Sequence, residues 1–513
     1  MLQTCARLLP HKEAFVHGNR RLTYSEAWNA VTSLAGGLRA AGLQPGARIA
    51  VFLEASIPQV LAIFAASLSR SVVVPIHSAL RPRQVAHILN DCGVQVLVTS
   101  QVRLDYLADV LDPLTNLAFV VTTDDGSAGS CRVPIHRFED LSRNPVQFEE
   151  ESGSDRELAA VLYTSGSTGK PNGVMLSHAQ IMAGAWIVSE YLSLSESDRI
   201  LAVLPFSFDA GLNQLMTSVH VGGTLVLLNF IFAREIVDAL VQEQITGLAG
   251  VPTLWNLLTH PHARLEHAPL PHLRYITSTG GAMPQRVLSD LRRILTRTKI
   301  FLMYGFTEAF RSTYLPPEEL DRRPTSIGKA IPQTELWIVN ESGESCAAGE
   351  VGELVHRGPT VALGYWGNPE LTRVKFRPHP FPRADALPDE RVCYSGDLVR
   401  ADEEGYLYFV GRKDTMIKSG GFRISPTEVE EVLQQCRGVR LAAVIGIPDE
   451  IAGQCIRAFV VRSTADVDAP SLLQFCSREL PSFMVPREIE FVDHLPMTPN
   501  GKIDYHELRR RVA

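Results

Sequence analysis

Long apolar runs are missing from this chain of 513 residues. The best of them, residues 60–68, is about half the roughly 20 residues that a spanning helix needs, and Arg70 follows it. No membrane span is expected. The opening MLQTCARLLPHKEAF has no apolar stretch ahead of a small-residue cleavage site, so no secretory leader is expected either. Cysteine is sparse: Cys5, Cys92, Cys131, Cys346, Cys393, Cys436, Cys455 and Cys476 are scattered, and none forms a CxxC pair. A chain of this size folds without disulfides, so reduced, mostly buried thiols in a cytoplasmic protein are expected. Positive charge is not in excess. Lys and Arg number 49 against 56 Asp and Glu, for a net charge of −7, which argues against nucleic acid as the main partner. The histidines at 260, 262, 267 and 272 lack metal-binding spacing and are expected on a surface loop.

What is present is an ordinary globular balance, 45% hydrophobic and 20% charged, which excludes a disordered chain. Length alone suggests roughly three domains. Strand-like runs at 48–53, 71–76, 94–99 and 119–122 alternate with helical stretches such as 57–68. That alternation predicts an α/β sheet with crossover connections. Beyond about residue 330 the runs 335–340, 352–357 and 406–410 are separated by Gly-bearing turns and predict a β-rich part. A charged break, Gly411-Arg412-Lys413-Asp414, precedes a compact α+β unit. Its first helix, 426–436, is expected to start at Ser425 as N-cap with Pro426 in the first turn. The expected domains are therefore 1–411 and 412–513, with a hinge at Lys413-Asp414.

The most informative stretch is 162–178, LYTSGSTGKPNGVMLSH. An apolar strand is expected to run into a loop of Thr164, Ser165, Gly166, Ser167, Thr168, Gly169 and Lys170, followed by a helix. Glycines let successive backbone N–H groups converge on one anion, hydroxyls add donors, and the lysine adds charge. The composition suits a polyphosphate. It is neither a Walker A loop nor a GxSxG nucleophile elbow. The plainer alternative is a flexible Ser/Gly linker.

This segment resembles the phosphate-binding signature of the adenylate-forming ligases, the superfamily of acyl-CoA synthetases, adenylation domains of nonribosomal peptide synthetases, and luciferases. One departure is Asn172, where the family usually has a second lysine. Further resemblances follow in family order and span residues 20 to 508. Thr279-Gly280-Gly281-Ala282 resembles the segment that lets backbone approach adenine. Tyr304-Gly305-Phe306-Thr307-Glu308 resembles the YGxTE element, in which the aromatic packs on adenine and the Glu holds Mg²⁺. Tyr394-Ser395-Gly396-Asp397 resembles the element whose Asp binds the ribose, assisted by an Arg matching Arg412. Taken alone, the SGD would be a turn. The stretch 349–372 also matches the family pattern. In the small domain, Lys418, Gly420, Gly421 and Arg423 lie in IKSGGFRI, which resembles the loop used in the second half-reaction. Lys502 lies in TPNGKID, which resembles the terminal signature with its essential lysine.

The resemblance implies two steps. A carboxylic acid and ATP give an acyl-adenylate and pyrophosphate; a thiol, from CoA or from the phosphopantetheine of a separate carrier protein, then displaces AMP. Lys502, Glu308 with Mg²⁺, and the loop beginning at Thr164 are implied in the first step. Rotation of a mobile small domain is implied to exchange Lys502 for Lys418 and its neighbours. The stretch 308–317, EAFRSTYLPP, resembles a subgroup described as exosortase-associated AMP-forming acyl-CoA ligases.

Carrying the family's acid-pocket positions onto this chain gives Asp209, Ala210, Asn213, Ala249, Thr277, Thr279, Met303, Arg311 and Ser312. In amino-acid-activating members the Asp matching Asp209 pairs with an α-ammonium. The expected substrate is a small polar acid, such as an amino acid whose side chain faces Arg311. Plainer alternatives are a helix N-cap for Asp209 and a rim salt bridge for Arg311. A standalone amino-acid–carrier-protein ligase remains open beside the acyl-CoA ligase.

Overall fold

A computed structural model describes residues 1–111, 114–124, 132–143, 153–164, 171–381, 390–413, 415–419, 422–449, 453–464 and 466–512. Among these residues the strands form four sheets.

The first sheet has a parallel centre made of Thr224–Leu227, Arg199–Ala202, Gly247–Gly250, Tyr275–Ser278 and Lys299–Phe306. Parallel strands need crossovers, and helices such as Asp209–His220 supply them. The second sheet runs Gly364–Tyr365, Asn172–Ser177, Leu158–Thr164, Val72–Pro75, Arg48–Phe52, Val96–Thr99, Phe119–Thr122 and Ile135–Arg137. Its central strands are buried throughout, as expected for a sheet covered on both faces. Helices Tyr24–Ala40, Ile57–Leu68 and Asp209–His220 join the two sheets. Leu34, Val60 and Leu215 share one core with Ile49 of the second sheet and Leu225 of the first.

Local signals explain the helix starts. Thr23 and Glu26 form a reciprocal capping box ahead of Tyr24–Ala40. Ser56 caps Ile57–Leu68, and Pro58 occupies its first turn. Ser425 accepts the Glu428 N–H at the head of Pro426–Gln435, as the sequence predicted.

The third sheet is antiparallel: Glu335–Val339, Gly352–Arg357, Val392–Ala401 and Phe376–Arg377, with Leu407–Arg412 on Val392–Ala401. The fourth contains Ile417–Ser419, Phe422–Ile424, Gly453–Arg462, Val439–Asp449 and Glu488–Phe491. Its core residues, from Ile417 to Leu508, are separate from those of the preceding sheets. At the break between the two parts, the Lys413 ammonium lies 3.0 Å from a Glu353 carboxylate oxygen. Asp414 lies outside the described residues.

One expectation fails. The loop after Leu158–Thr164 leads not to a helix but to the strand Asn172–Ser177, antiparallel to the first, and only then to the helix His178–Tyr191. Val174 and Leu176 alternate into the core, and a Cβ on Gly173 would lie 2.6 Å from a Val161 methyl. The two strands that flank residues 165–170 are therefore a hairpin pair, and no helix follows that segment directly.

Candidate active site

Residues 279–282 and 307–308 follow parallel strands of the first sheet, at the usual ligand end of such a sheet, and the other candidates come from the remaining sheets. Thr164 closes Leu158–Thr164, and its hydroxyl donates to the Asn172 carbonyl at 3.5 Å. Ser165, Gly166, Ser167, Thr168, Gly169 and Lys170 lie outside the described residues.

Thr279 to Ala282 follow Tyr275–Ser278, with Gly280 at φ +83°, a conformation that favours glycine. Tyr304 lies on Lys299–Phe306, and its phenol donates to Asp397 Oδ2 at 2.5 Å. Burial, reinforced by the Asp397 charge, pushes that phenol well above its ordinary pKa, so it stays a donor. Arg412 Nε lies 3.7 Å from Asp397 Oδ1. Gly305 sits at a bulge where a Cβ would meet the Arg311 backbone nitrogen at 2.7 Å, so a larger residue would push the hairpin apart. Thr307 and Glu308 form the tip between Lys299–Phe306 and Ala309–Leu315. The Tyr365 hydroxyl donates to Glu308 Oε1.

The acid-pocket positions come from four strands and one helix. Ala249 and Thr277 are cross-strand partners, Met303 lies on the next strand, and Arg311 and Ser312 lie on Ala309–Leu315. Ala210 and Asn213 are buried on the helix Asp209–His220. Asp209 is the first residue of that helix, after the N-cap Phe208, and is the acidic residue of its first turn. Its Oδ1 accepts the Ala210 N–H at 2.6 Å and its Oδ2 accepts the Thr307 hydroxyl at 3.3 Å. Burial raises the Asp209 pKa, opposed by the charges of Arg311 and Lys502.

Arg311 is not at a rim. It is 5% exposed, with φ +52°, and its guanidinium carbon stands 5.1 Å from the Phe310 ring centre. Its Nε is buried without an acceptor, and among the described residues no carboxylate forms an ion pair with it. A strained backbone holding an unpaired buried cation is costly, and such arrangements concentrate at functional sites. Ser312 is differently engaged: its hydroxyl lies 2.9 Å from His356 Nδ1, and Thr360 lies 3.3 Å from His356 Nε2. Burial pushes His356 down to about 3, so this chain is neutral. Sequence reasoning missed His356 because a lone histidine in a β-strand carries no motif.

Lys502 arrives from the small C-terminal part. Its Nζ stands 5.5 Å from the Phe208 ring centre, and its Cε lies 3.2 Å from where a Cβ on Gly280 would be. Lys418 and Arg423 are paired in register on the hairpin Ile417–Ser419 and Phe422–Ile424. Gly420 and Gly421 lie outside the described residues. The histidines at 260, 262, 267 and 272 are exposed, as expected. No group of three or more potential metal ligands occurs among the described residues.

Comparison with known proteins identifies the family. Residues 2–366 match the family "AMP-binding enzyme", and residues 428–502 match "AMP-binding enzyme C-terminal domain". The chain is 34% identical to a feruloyl-CoA synthase of Amycolatopsis sp, over 99% of this chain and 97% of that protein. It is 30% identical to bacitracin synthase 3 of Bacillus licheniformis, over 97% of this chain but only 7% of that protein. The crystal structure of the anthranilate CoA ligase AuaEII in complex with anthranoyl-AMP superposes with a TM-score of 0.88 at 27% identity, covering 99% of this chain and 96% of that one. The chain thus belongs to the AMP-binding enzyme family of adenylate-forming ligases, as an AMP-forming acid–thiol ligase.

Proposed function

We propose that this ligase activates a small polar carboxylic acid, with an amino acid as the preferred class, and passes the acyl group to the thiol of CoA. The observation that carries this reading is the pair Asp209 and Arg311. Arg311 is buried and Asp209 half-buried, the Arg311 charge opposes the rise that burial gives the Asp209 pKa, and they form no ion pair with one another. Two opposite charges held apart in a buried space suit a ligand that bridges them, with an ammonium at Asp209 and a polar or anionic group at Arg311. A long acyl chain would have to bury about 0.8 kcal/mol per CH₂ against apolar walls. Here its neighbours would instead include Asp209, Asn213, Thr277 and Arg311.

In the first step a substrate carboxylate oxygen bonds to the α-phosphorus of ATP, the bond to the β-phosphate bridge breaks, and pyrophosphate leaves. No protein nucleophile is required; positioned cations and donors are. Lys502 is assigned to the carboxylate and α-phosphate oxygens, and the loop from Thr164 to Lys170 to the departing phosphates. Tyr304 and Asp397 would hold the nucleoside, with Arg412 beside them.

The residues fit magnesium. Glu308 offers a hard carboxylate whose Oε1 is fixed by Tyr365. The lack of a dedicated cluster of protein ligands among the described residues suits an ion completed by phosphate oxygens and water. When bound, magnesium supplies charge neutralisation at the phosphates. In the second step a thiol sulfur bonds to the acyl carbon, AMP leaves with the bridging oxygen, and the thiol proton passes to solvent. Lys418, Gly420, Gly421 and Arg423 are assigned to this step, with Lys413 and Asp414 as the hinge between domains 1–411 and 412–513.

A second reading, a standalone amino-acid ligase charging a carrier protein, is favoured by Asp209. The test is ATP–pyrophosphate exchange across amino acids, dicarboxylates, aromatic acids and fatty acids, followed by CoA against carrier protein as acceptor. Strong exchange confined to fatty acids would overturn the polar-acid reading.

A further inference from the structure

The loop that delivers Lys502 is held by two side chains that no family motif singles out. The loop is internally rigid. The Thr498 N–H donates to the Lys502 carbonyl at 2.7 Å, the Lys502 N–H to the Thr498 hydroxyl at 3.2 Å, and the Gly501 N–H to the Thr498 carbonyl at 2.9 Å. A bridge between Met497 and Ile503 closes its base, and Gly501 turns it at φ +74°. Such a unit moves as one piece, so whatever fixes its backbone also fixes where the lysine projects.

Two contacts from the large part reach that backbone. The Thr253 hydroxyl, in the first turn of Pro252–Leu258, donates to the Gly501 carbonyl at 3.0 Å. His77, which follows the strand Val72–Pro75, faces the Pro499 carbonyl, while its Nδ1 accepts the Ala79 N–H at 3.0 Å. With Nδ1 so occupied, the other imidazole nitrogen is the one free to turn to Pro499. Thr253 follows a strand of the first sheet and His77 a strand of the second. The loop is gripped across both sheets, at carbonyls one and three residues before the lysine. The lysine stem then passes Gly280, where a Cβ would lie 3.2 Å from Cε.

We infer that Thr253 and His77 are positioning residues for the adenylation step: they dock the 498–502 loop so that the Lys502 ammonium stands over the acid pocket. Neither touches the reacting atoms. The inference rests on the assignment of Lys502 to the first half-reaction. The Thr253 contact is a neutral hydrogen bond to a carbonyl, strong enough to set a geometry and weak enough to release when the small domain moves, and His77 adds a second neighbour to the same loop.

The test separates the half-reactions in Thr253→Val, Thr253→Ser, His77→Ala and Lys502→Ala. Exchange is measured with whichever acid of the panel supports it best, and thioester formation is measured from that acid's pre-made adenylate. Thr253→Val and His77→Ala should each slow exchange about five- to tenfold, the loss of one or so hydrogen bonds' worth of placement. Their combination should slow it more than either alone. Thioester formation should stay within about twofold, and Thr253→Ser should restore exchange. With ATP and Mg²⁺ as the only added ligands, amides 498–503 should exchange hydrogen for deuterium faster in the two variants. Equal loss of both half-reactions would mean a merely structural role. Unchanged exchange in Thr253→Val and His77→Ala, with Lys502→Ala inactive, would overturn the docking inference alone. Full exchange in Lys502→Ala would overturn the assignment beneath it.

Discussion

The charges of Asp209 and Arg311 should weaken the fold that holds them, and the double variant Asp209→Asn/Arg311→Met isolates that effect. A buried ion such as Arg311 costs several kcal/mol of desolvation after relaxation, and the half-buried Asp209 costs less. Their attraction repays part of this, but it acts without an ion pair; beyond 4 Å and at an effective dielectric of about 20 it stays below about 4 kcal/mol. Asp209 accepts from the Ala210 N–H at Oδ1 and from the Thr307 hydroxyl at Oδ2; an asparagine oxygen keeps the first, and the Thr307 hydroxyl can turn to accept from the amide nitrogen. The buried Arg311 Nε has no acceptor to lose. Replacing both charges by neutral groups of similar size should therefore stabilise the protein by about 1–4 kcal/mol, as when other buried ion sets are replaced.

The single variants should differ. Asp209→Asn leaves a guanidinium that cannot shed its proton and should cost about 3 kcal/mol. Arg311→Met leaves an acid whose pKa is already raised by burial and that can take up a proton, so its effect should be small. Calorimetry on the large-domain transition reads the order: double variant highest, Arg311→Met near wild type, Asp209→Asn lowest. Exchange activity should fall at least 100-fold (about 2.7 kcal/mol) in the double variant. A double variant less stable than wild type would refute the reasoning, because it would show that the two charges serve the fold rather than a ligand.

Gly280→Ala should lower exchange at least tenfold and cost about 1 kcal/mol or more of stability, since φ +83° disfavours a side chain and the new Cβ would sit 3.2 Å from Lys502 Cε. Tyr304→Phe removes the donor to Asp397 and should raise the KM for ATP about three- to tenfold, with the KM for the acid little changed. Glu430 is buried, with Oε1 accepting from the Val444 N–H and the Tyr505 hydroxyl, and burial holds its pKa up to about 7. Because the folded state keeps this proton longer than the unfolded chain does, stability should decline as pH rises from about 4.5 to about 7 and level off above, by about 3 kcal/mol in all. Urea unfolding of the C-terminal part against pH, in wild type and Glu430→Gln, checks this; the variant should lose that slope.

Much of the local structure was legible in sequence. The helix Ile57–Leu68 and the strands Phe119–Thr122 and Gly352–Arg357 fall where period and turn residues place them. The strand Asn172–Ser177 did not, because a short run after a Gly-rich loop reads equally well as the start of the helix behind it. Only its pairing with Leu158–Thr164 makes it a strand. At the site, the motif residues named themselves by type and order, whereas His77, Thr253 and His356 carry no local signature. Their roles come from partners 422, 248 and 44 residues away in the chain, which no spacing rule encodes.

By itself the sequence determined the family and the order of its motifs, a Gly/Ser/Thr loop, a Thr-Glu pair after an aromatic strand and a lysine near the end. These follow from residue types in a fixed order, and covalent order is all that a motif requires. The tertiary structure decided the rest. It made Arg311 a buried, unpaired cation rather than a rim salt bridge, and made Asp209 the first residue of its helix rather than a cap. It also closed the Lys502 loop onto two sheets at once. Those properties depend on desolvation and on distances between segments far apart in the chain, and such distances exist only once the cores have packed.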